Sequence, residues 1–200
     1  MFQLRSLHSL VCLGVVSFAA LGCGGGDEYM PLKVNRTWTY RVSSGFEKHT
    51  VPIRVDRAMT VASSSGYELS GPLGVSRVGW SGKKLVAEYM VNAKFSPPIP
   101  LLVPMELDKN KPPKQVAVWH GHIDALGRVK PSSAILTEQV DSVELGTRKV
   151  PTILAVLEIK MPGGGVELKS WYQSGVGLVQ QEQRTNGQRI VQMIMVGHTQ

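Results

Sequence analysis

Cysteine is almost absent from this 200-residue chain: the two that occur are Cys12 and Cys23, so nothing beyond position 23 carries a thiol. Thiol catalysis and a disulfide framework are thereby excluded from the body, which must be held by its own packing. Aromatic residues make up 6% and charged residues 18%, against 42% hydrophobic. That balance is too apolar for a disordered chain and too polar for a multi-span membrane protein. Long apolar runs are missing as well. The longest, Leu10–Leu21, falls short of the ~20 residues a spanning helix needs. No window of useful length carries an apolar stripe at helical spacing. Recognisable catalytic motifs are lacking: there is no G-x-S-x-G, phosphate loop or dinucleotide fingerprint, and Gly163–Gly165 is not followed by the Lys-Ser/Thr that a phosphate cradle requires. Ser81-Gly82-Lys83-Lys84 formally matches S-x-x-K. That chemistry needs a helix start, whereas these residues fall in a turn, with no S-D-N or K-T-G after them. The expectation is of a protein that is not an enzyme and needs no cofactor.

What is present begins with the N-terminus. Met1–Ser9 carries Arg5 and no acid, and the apolar run that follows thickens with small residues toward its end. This is the layout of an export signal. The exit, Ala20-Leu21-Gly22-Cys23, resembles a bacterial lipobox, with Ala20 standing where leucine is usual. The resemblance implies cleavage before Cys23 and a lipid, palmitate-type acyl chains included, on its sulfur. Gly24-Gly25-Gly26 then gives a flexible tether. The expected organisation is a signal peptide over 1–22, a lipidated cysteine and tether over 23–28, and one domain over 29–200. Gly24 is not the inner-membrane retention aspartate of enteric bacteria, so the resemblance places the protein on the periplasmic face of the outer membrane if the cell is Gram-negative.

The formal charge is +7, and loss of Arg5 with the signal leaves +6. The basic residues are scattered pairs and one short group, Lys109, Lys111 and Lys114, without interleaved stacking aromatics. Nucleic acid is therefore not an expected partner. Attraction to anionic headgroups or wall polymers fits better, and a merely solvated basic surface fits better still.

The body reads as strand throughout. Between Asn35 and Ser44, Trp38, Tyr40 and Val42 alternate with Thr37, Thr39, Arg41 and Ser43. Similar runs are expected at 50–55, 66–71, 74–80, 85–91, 116–124, 134–145, 151–161, 166–173, 177–185 and 189–196, with 137–144 the least clear. Turn signals separate them, including Ser81-Gly82, Pro162-Gly163-Gly164-Gly165 and the hairpin dipeptide Asn186-Gly187. The prediction is all-β: roughly ten to twelve antiparallel strands in a large curved sheet, an open half-barrel meander. Phe95–Pro113 stands apart, with six prolines around the apolar Ile99-Pro100-Leu101-Leu102-Val103-Pro104. Proline removes amide donors, so this stretch is expected to be a connection or an apolar lid rather than a central strand.

Two motifs carry a resemblance. Tyr29-Met30-Pro31-Leu32-Lys33-Val34-Asn35-Arg36-Thr37-Trp38-Thr39-Tyr40 is similar to Y-x-P-L-x-x-G-x-x-W-x-Y, and Trp171-Tyr172-Gln173-Ser174-Gly175-Val176-Gly177-Leu178-Val179 to W-Y-x-x-G-V-G-L-V. Together they resemble uncharacterised bacterial envelope lipoproteins with a half-barrel of the lipoprotein-localisation-factor type. The resemblance implies a concave apolar face that holds a hydrophobic, lipid-like ligand. Candidate lining residues are Trp38, Tyr40, Leu101, Leu102 and Trp171. Trp171 and its neighbour Tyr172 face opposite ways in a regular strand, so at most one of the pair lines it. Two other readings stand beside the ligand carrier. One is a structural or interaction lipoprotein that docks an envelope protein. The other is a metal-dependent hydrolase, for which His120, His122 and Asp124, on one face of a strand by alternation, are weak metal candidates.

Overall fold

The structure, a computed structural model, describes residues 27–199. The predicted signal segment and Cys23 lie outside the described residues. After a short 3-10 turn at Asp27–Tyr29 the chain forms twelve strands: β1 (Thr37–Ser44), β2 (Glu47–Val61), β3 (Ser64–Gly71), β4 (Gly74–Ser81), β5 (Lys84–Val91), β6 (Ala93–Leu102), β7 (Lys114–Ala125), β8 (Arg128–Leu145), β9 (Arg148–Met161), β10 (Gly164–Gln173), β11 (Gly177–Thr185) and β12 (Gln188–His198). Each pairs antiparallel with the next, and β1 pairs with β12. The all-β meander is as the sequence predicts. Its last pairing, with Val42 opposite Met193, closes the half-barrel into a complete barrel. Closure leaves no free edge strand, except along the seam where β6 and β7 part after Ser96.

Alternation sets the two sides of the wall. Trp38, Tyr40 and Val42 on β1, Val51 and Val55 on β2, and Ile153, Ala155, Leu157 and Ile159 on β9 all belong to one buried interior cluster. The outer wall is polar over much of its area, as in the Arg57–Glu68–Arg77 network across β2, β3 and β4, with contacts of 3.0 and 3.1 Å, and carries one apolar cluster on β8–β11. Apolar inside and polar outside is the reverse of a transmembrane barrel, whose lipid-facing band is apolar. The tight turns use positive φ where the sequence signals it. Asn186 and Gly187 sit at +51° and +78°, and Asn35, in the place glycine holds in the resembling motif, sits at +72°.

The proline-rich stretch corrects the sequence reading. Phe95 to Leu102 lies within β6, and its ladder to β5, interrupted after Lys94, resumes with Ile99, Pro100 and Leu102. Its ladder to β7 runs only from Ala93 to Ser96 and stops where Pro97 begins. Pro97 and Pro98 thus fall where neither ladder has a partner, and Pro100 where only β5 is paired, so their missing amide donors cost little. The Trp119 indole N–H on β7 donates to the Pro97 carbonyl at 3.0 Å, bridging part of that seam. Residues 103–113 leave the strand as a loop to β7.

Candidate functional site

The up-and-down order puts the chain entry, the 103–113 loop and the turns after β2, β4, β8 and β10 at one end of the barrel. The turns after β1, β3, β5, β7, β9 and β11 lie at the other. The entry end is closed by the two sequence motifs, which lock onto each other. Trp38 donates its indole N–H to the Val176 carbonyl at 2.7 Å, and the Tyr40 hydroxyl donates to the Leu178 carbonyl at 2.9 Å. The Arg36 guanidinium donates to the carbonyls of Gly175 and Val176 at 3.1 and 3.3 Å while lying 5.4 Å over the Trp38 ring. The Gly175 amide in turn donates to the Glu28 carbonyl at 2.8 Å. Gly177 has φ +112°, and a Cβ there would come within 3.1 Å of the Trp38 indole nitrogen. Only glycine meets both demands without strain. Met30 follows the entry turn into the interior, and its carbonyl accepts a 3.4 Å hydrogen bond from the Trp80 indole.

Beneath this plug lies a cavity of about 520 Å³. Its deep wall includes Met30, Trp38, Tyr40, Leu85, Leu101 and Tyr172; its middle includes Leu69, Leu168, Leu178 and Met193. Leu73, Asn92 and Leu126, from the turns of the other end, complete it there. The cavity therefore opens at the end opposite the chain entry. Gln181 and Gln183 on β11 are among the few polar groups on its wall. A small number of polar groups in a mostly apolar pocket is the usual arrangement for fixing a ligand's orientation.

Of the lining residues the sequence nominates, Trp38, Tyr40 and Leu101 are on the wall, whereas Leu102 and Trp171 are not. Leu102 is fully buried in the surrounding packing. Trp171 lies opposite Leu154 on β9 and joins a separate cluster with Val143, Leu154 and Val179. Its indole donates to Asp141 at 2.8 Å. Tyr172, opposite the inward Ile153, takes the interior place instead. Burial pushes the hydroxyl pKa values of Tyr40 and Tyr172 up, so both stay neutral across the physiological range.

One ionisable group stands out. Glu138 on β8 points inward, has no exposed surface, and accepts the Val103 amide at 2.6 Å through Oε1. Oε2 has no hydrogen-bond partner among the described residues. Burial raises its pKa to about 7, opposed by the Val103 hydrogen bond. Glu138 also borders a second cavity, about 320 Å³, beneath the 103–113 loop. Alternation does not reveal this carboxylate, because it occupies an interior position that an apolar residue would ordinarily fill.

The metal candidates do not converge. His120 and His122 are exposed on β7, outside the barrel, and among the described residues no three His, Cys, Asp or Glu side chains are grouped to hold an ion.

No family model matches the chain, and no curated protein matches it in sequence. Solved structures do match in fold. A protein from Parabacteroides distasonis, provisionally described as a lipoprotein, is 13% identical with a TM-score of 0.52, over 86% of this chain and 98% of its own. A protein from Bacteroides fragilis, provisionally described as exported and having a YmcC-like fold, is 12% identical with a TM-score of 0.50, over 84% of this chain and 97% of its own. The barrel is thus an architecture that two solved bacterial proteins share across nearly their whole length.

Proposed function

We propose that this chain is an exported, lipid-anchored envelope protein whose barrel shelters a hydrophobic, lipid-like ligand. The observation that carries the reading is the cavity: about 520 Å³, open at one end, and lined mainly by Leu, Met, Val and aromatic side chains. Burying an acyl chain there gains about 25 cal/mol for each Å² removed from water. The export signal and the lipobox-like Ala20-Leu21-Gly22-Cys23 support the anchored location. Two structural neighbours provisionally described as a lipoprotein and an exported protein are consistent with it.

Native mass spectrometry of the purified protein tests the reading, because a bound lipid separates from a covalent one on activation. A lipid released at near-equal stoichiometry is the expected result. Ala93→Phe, which narrows the cavity near its open end, should abolish that adduct while leaving the fold intact. An empty protein that also fails to take up a fluorescent fatty acid would sink the carrier reading and leave docking of an envelope protein as the function to pursue.

A further inference from the structure

The open end of the barrel is unusual in what it shows to solvent. Phe46, at the tip of the β1–β2 hairpin, is wholly exposed, and Leu126, at the tip of the β7–β8 hairpin, is 85% exposed. Val129, just after the second tip, is 63% exposed, and Leu73, Val91 and Ile190 add partly exposed side chains from three other turns of the same end. Single exposed apolar residues are ordinary, but these share one end of the barrel, where Leu73, Val91 and Leu126 also line the cavity. Lys48, Lys94, Arg128, Lys130 and Arg189 are exposed on the same turns or one or two residues behind them. The acids in those segments are Glu47 and Asp124, and Glu182 on β11 pairs with Arg189 at 3.6 Å, so the cations left without an acid partner among the described residues are Lys48, Lys94, Arg128 and Lys130. Apolar tips backed by a cationic belt match the layered chemistry of an anionic bilayer, with acyl chains first and charged headgroups behind.

We propose that the mouth of the barrel is a docking surface for an anionic lipid bilayer, with Phe46 and Leu126 entering the headgroup–acyl boundary and the basic belt holding the phosphates. Docked in this way, the cavity opens directly into the membrane, and an acyl chain enters it without crossing water. That last step rests on the proposed ligand reading; docking itself does not. The bilayer concerned is not the one that the N-terminal anchor would occupy. Only four residue steps separate Cys23 from Asp27, at most ~14 Å of chain. The entry turn is fixed to the closed end through Glu28, whereas even an eight-residue strand such as β1 spans about 26 Å. The mouth therefore faces away from the anchor and meets an apposed lipid surface.

The test immobilises the full-length protein through its N-terminus and offers it vesicles of phosphatidylcholine alone or with about 30% phosphatidylglycerol. The expected result is capture of the anionic vesicles and little of the neutral ones. The double variant Phe46→Ser, Leu126→Ser should weaken capture about tenfold or more. Arg128→Glu with Lys130→Glu should abolish the preference for anionic lipid. Val118→Ser, at an exposed site on the outside of β7, should change neither. Equal capture by wild type and the double-serine variant, or none of anionic vesicles, overturns the proposal. Native mass spectrometry of the same samples separates the two readings: a lipid-loaded barrel that captures no vesicles overturns the docking surface and leaves the cavity reading standing. Vesicle capture by a barrel that never holds lipid supports docking and removes the exchange step.

Discussion

At the scale of single residues, the same chemical type serves opposite ends according to its register. Trp38 and Trp171 look equivalent in sequence, each followed within two residues by tyrosine or preceding it directly, yet one plugs the interior and the other pads the exterior. The inward side of β1 was legible because its polar and apolar residues alternate strictly. In β10 both Trp171 and Tyr172 are large and aromatic, so periodicity alone cannot assign the pair. Pairing with Leu154 and Ile153 decides it. Glu138 is the residue that sequence reasoning could least anticipate, and it carries a definite pH signature. Its carboxyl has a pKa of about 7 in the folded barrel against 4.5 in an unconstrained chain. Between those values the folded state binds the extra proton, so stability falls as pH rises from about 4.5 to about 7 and levels off above. The loss is on the order of 3 kcal/mol. Urea unfolding across this range should show that slope in the wild type, and Glu138→Gln should remove it. Identical profiles for the two proteins would mean that the carboxyl is not held as described.

At the scale of elements, the seam between β6 and β7 is where composition misleads and packing explains. Proline content argues against a strand, but that argument applies only to a strand paired on both sides. β6 is paired with β7 for four residues; Pro97 and Pro98 then fall between the paired stretches, and Pro100 pairs with β5 alone. Close approach at the start of this seam depends on Gly121. A Cβ there would lie 2.5 Å from the Ser96 carbonyl oxygen and 2.6 Å from the Trp119 ring. Backbone cannot yield cheaply to such a contact, so Gly121→Ala should destabilise the protein by roughly 2 kcal/mol or more, in the range of overpacking changes. Hydrogen exchange should localise the damage, with amides of β6 and β7 losing protection before those of β8–β10. Uniform loss of protection around the barrel would show instead that the seam opens only with global unfolding.

At the scale of the whole molecule, closure and emptiness are properties that no strand carries by itself. Each strand's alternation announces an inner and an outer face. Whether the inner faces fill the enclosed space depends on how many strands go round and how large their side chains are. Twelve strands enclose more than their side chains fill, even with the entry turn and Met30 turned inward, and the remainder is the cavity. An empty apolar cavity leaves its lining atoms without partners on one side, so occupancy should stabilise the barrel. Binding to the folded state alone raises stability by about 2.7 kcal/mol at a ligand concentration a hundred times Kd. A fatty acid added to lipid-stripped protein should therefore raise Tm by several degrees and slow exchange of the amides lining the interior. Ala93→Phe should raise Tm in the absence of ligand, or leave it unchanged, and abolish the further rise. If the fatty acid raises Tm equally in the wild type and in Ala93→Phe, it is binding elsewhere, and the exterior pad around Trp171 becomes the next place to look.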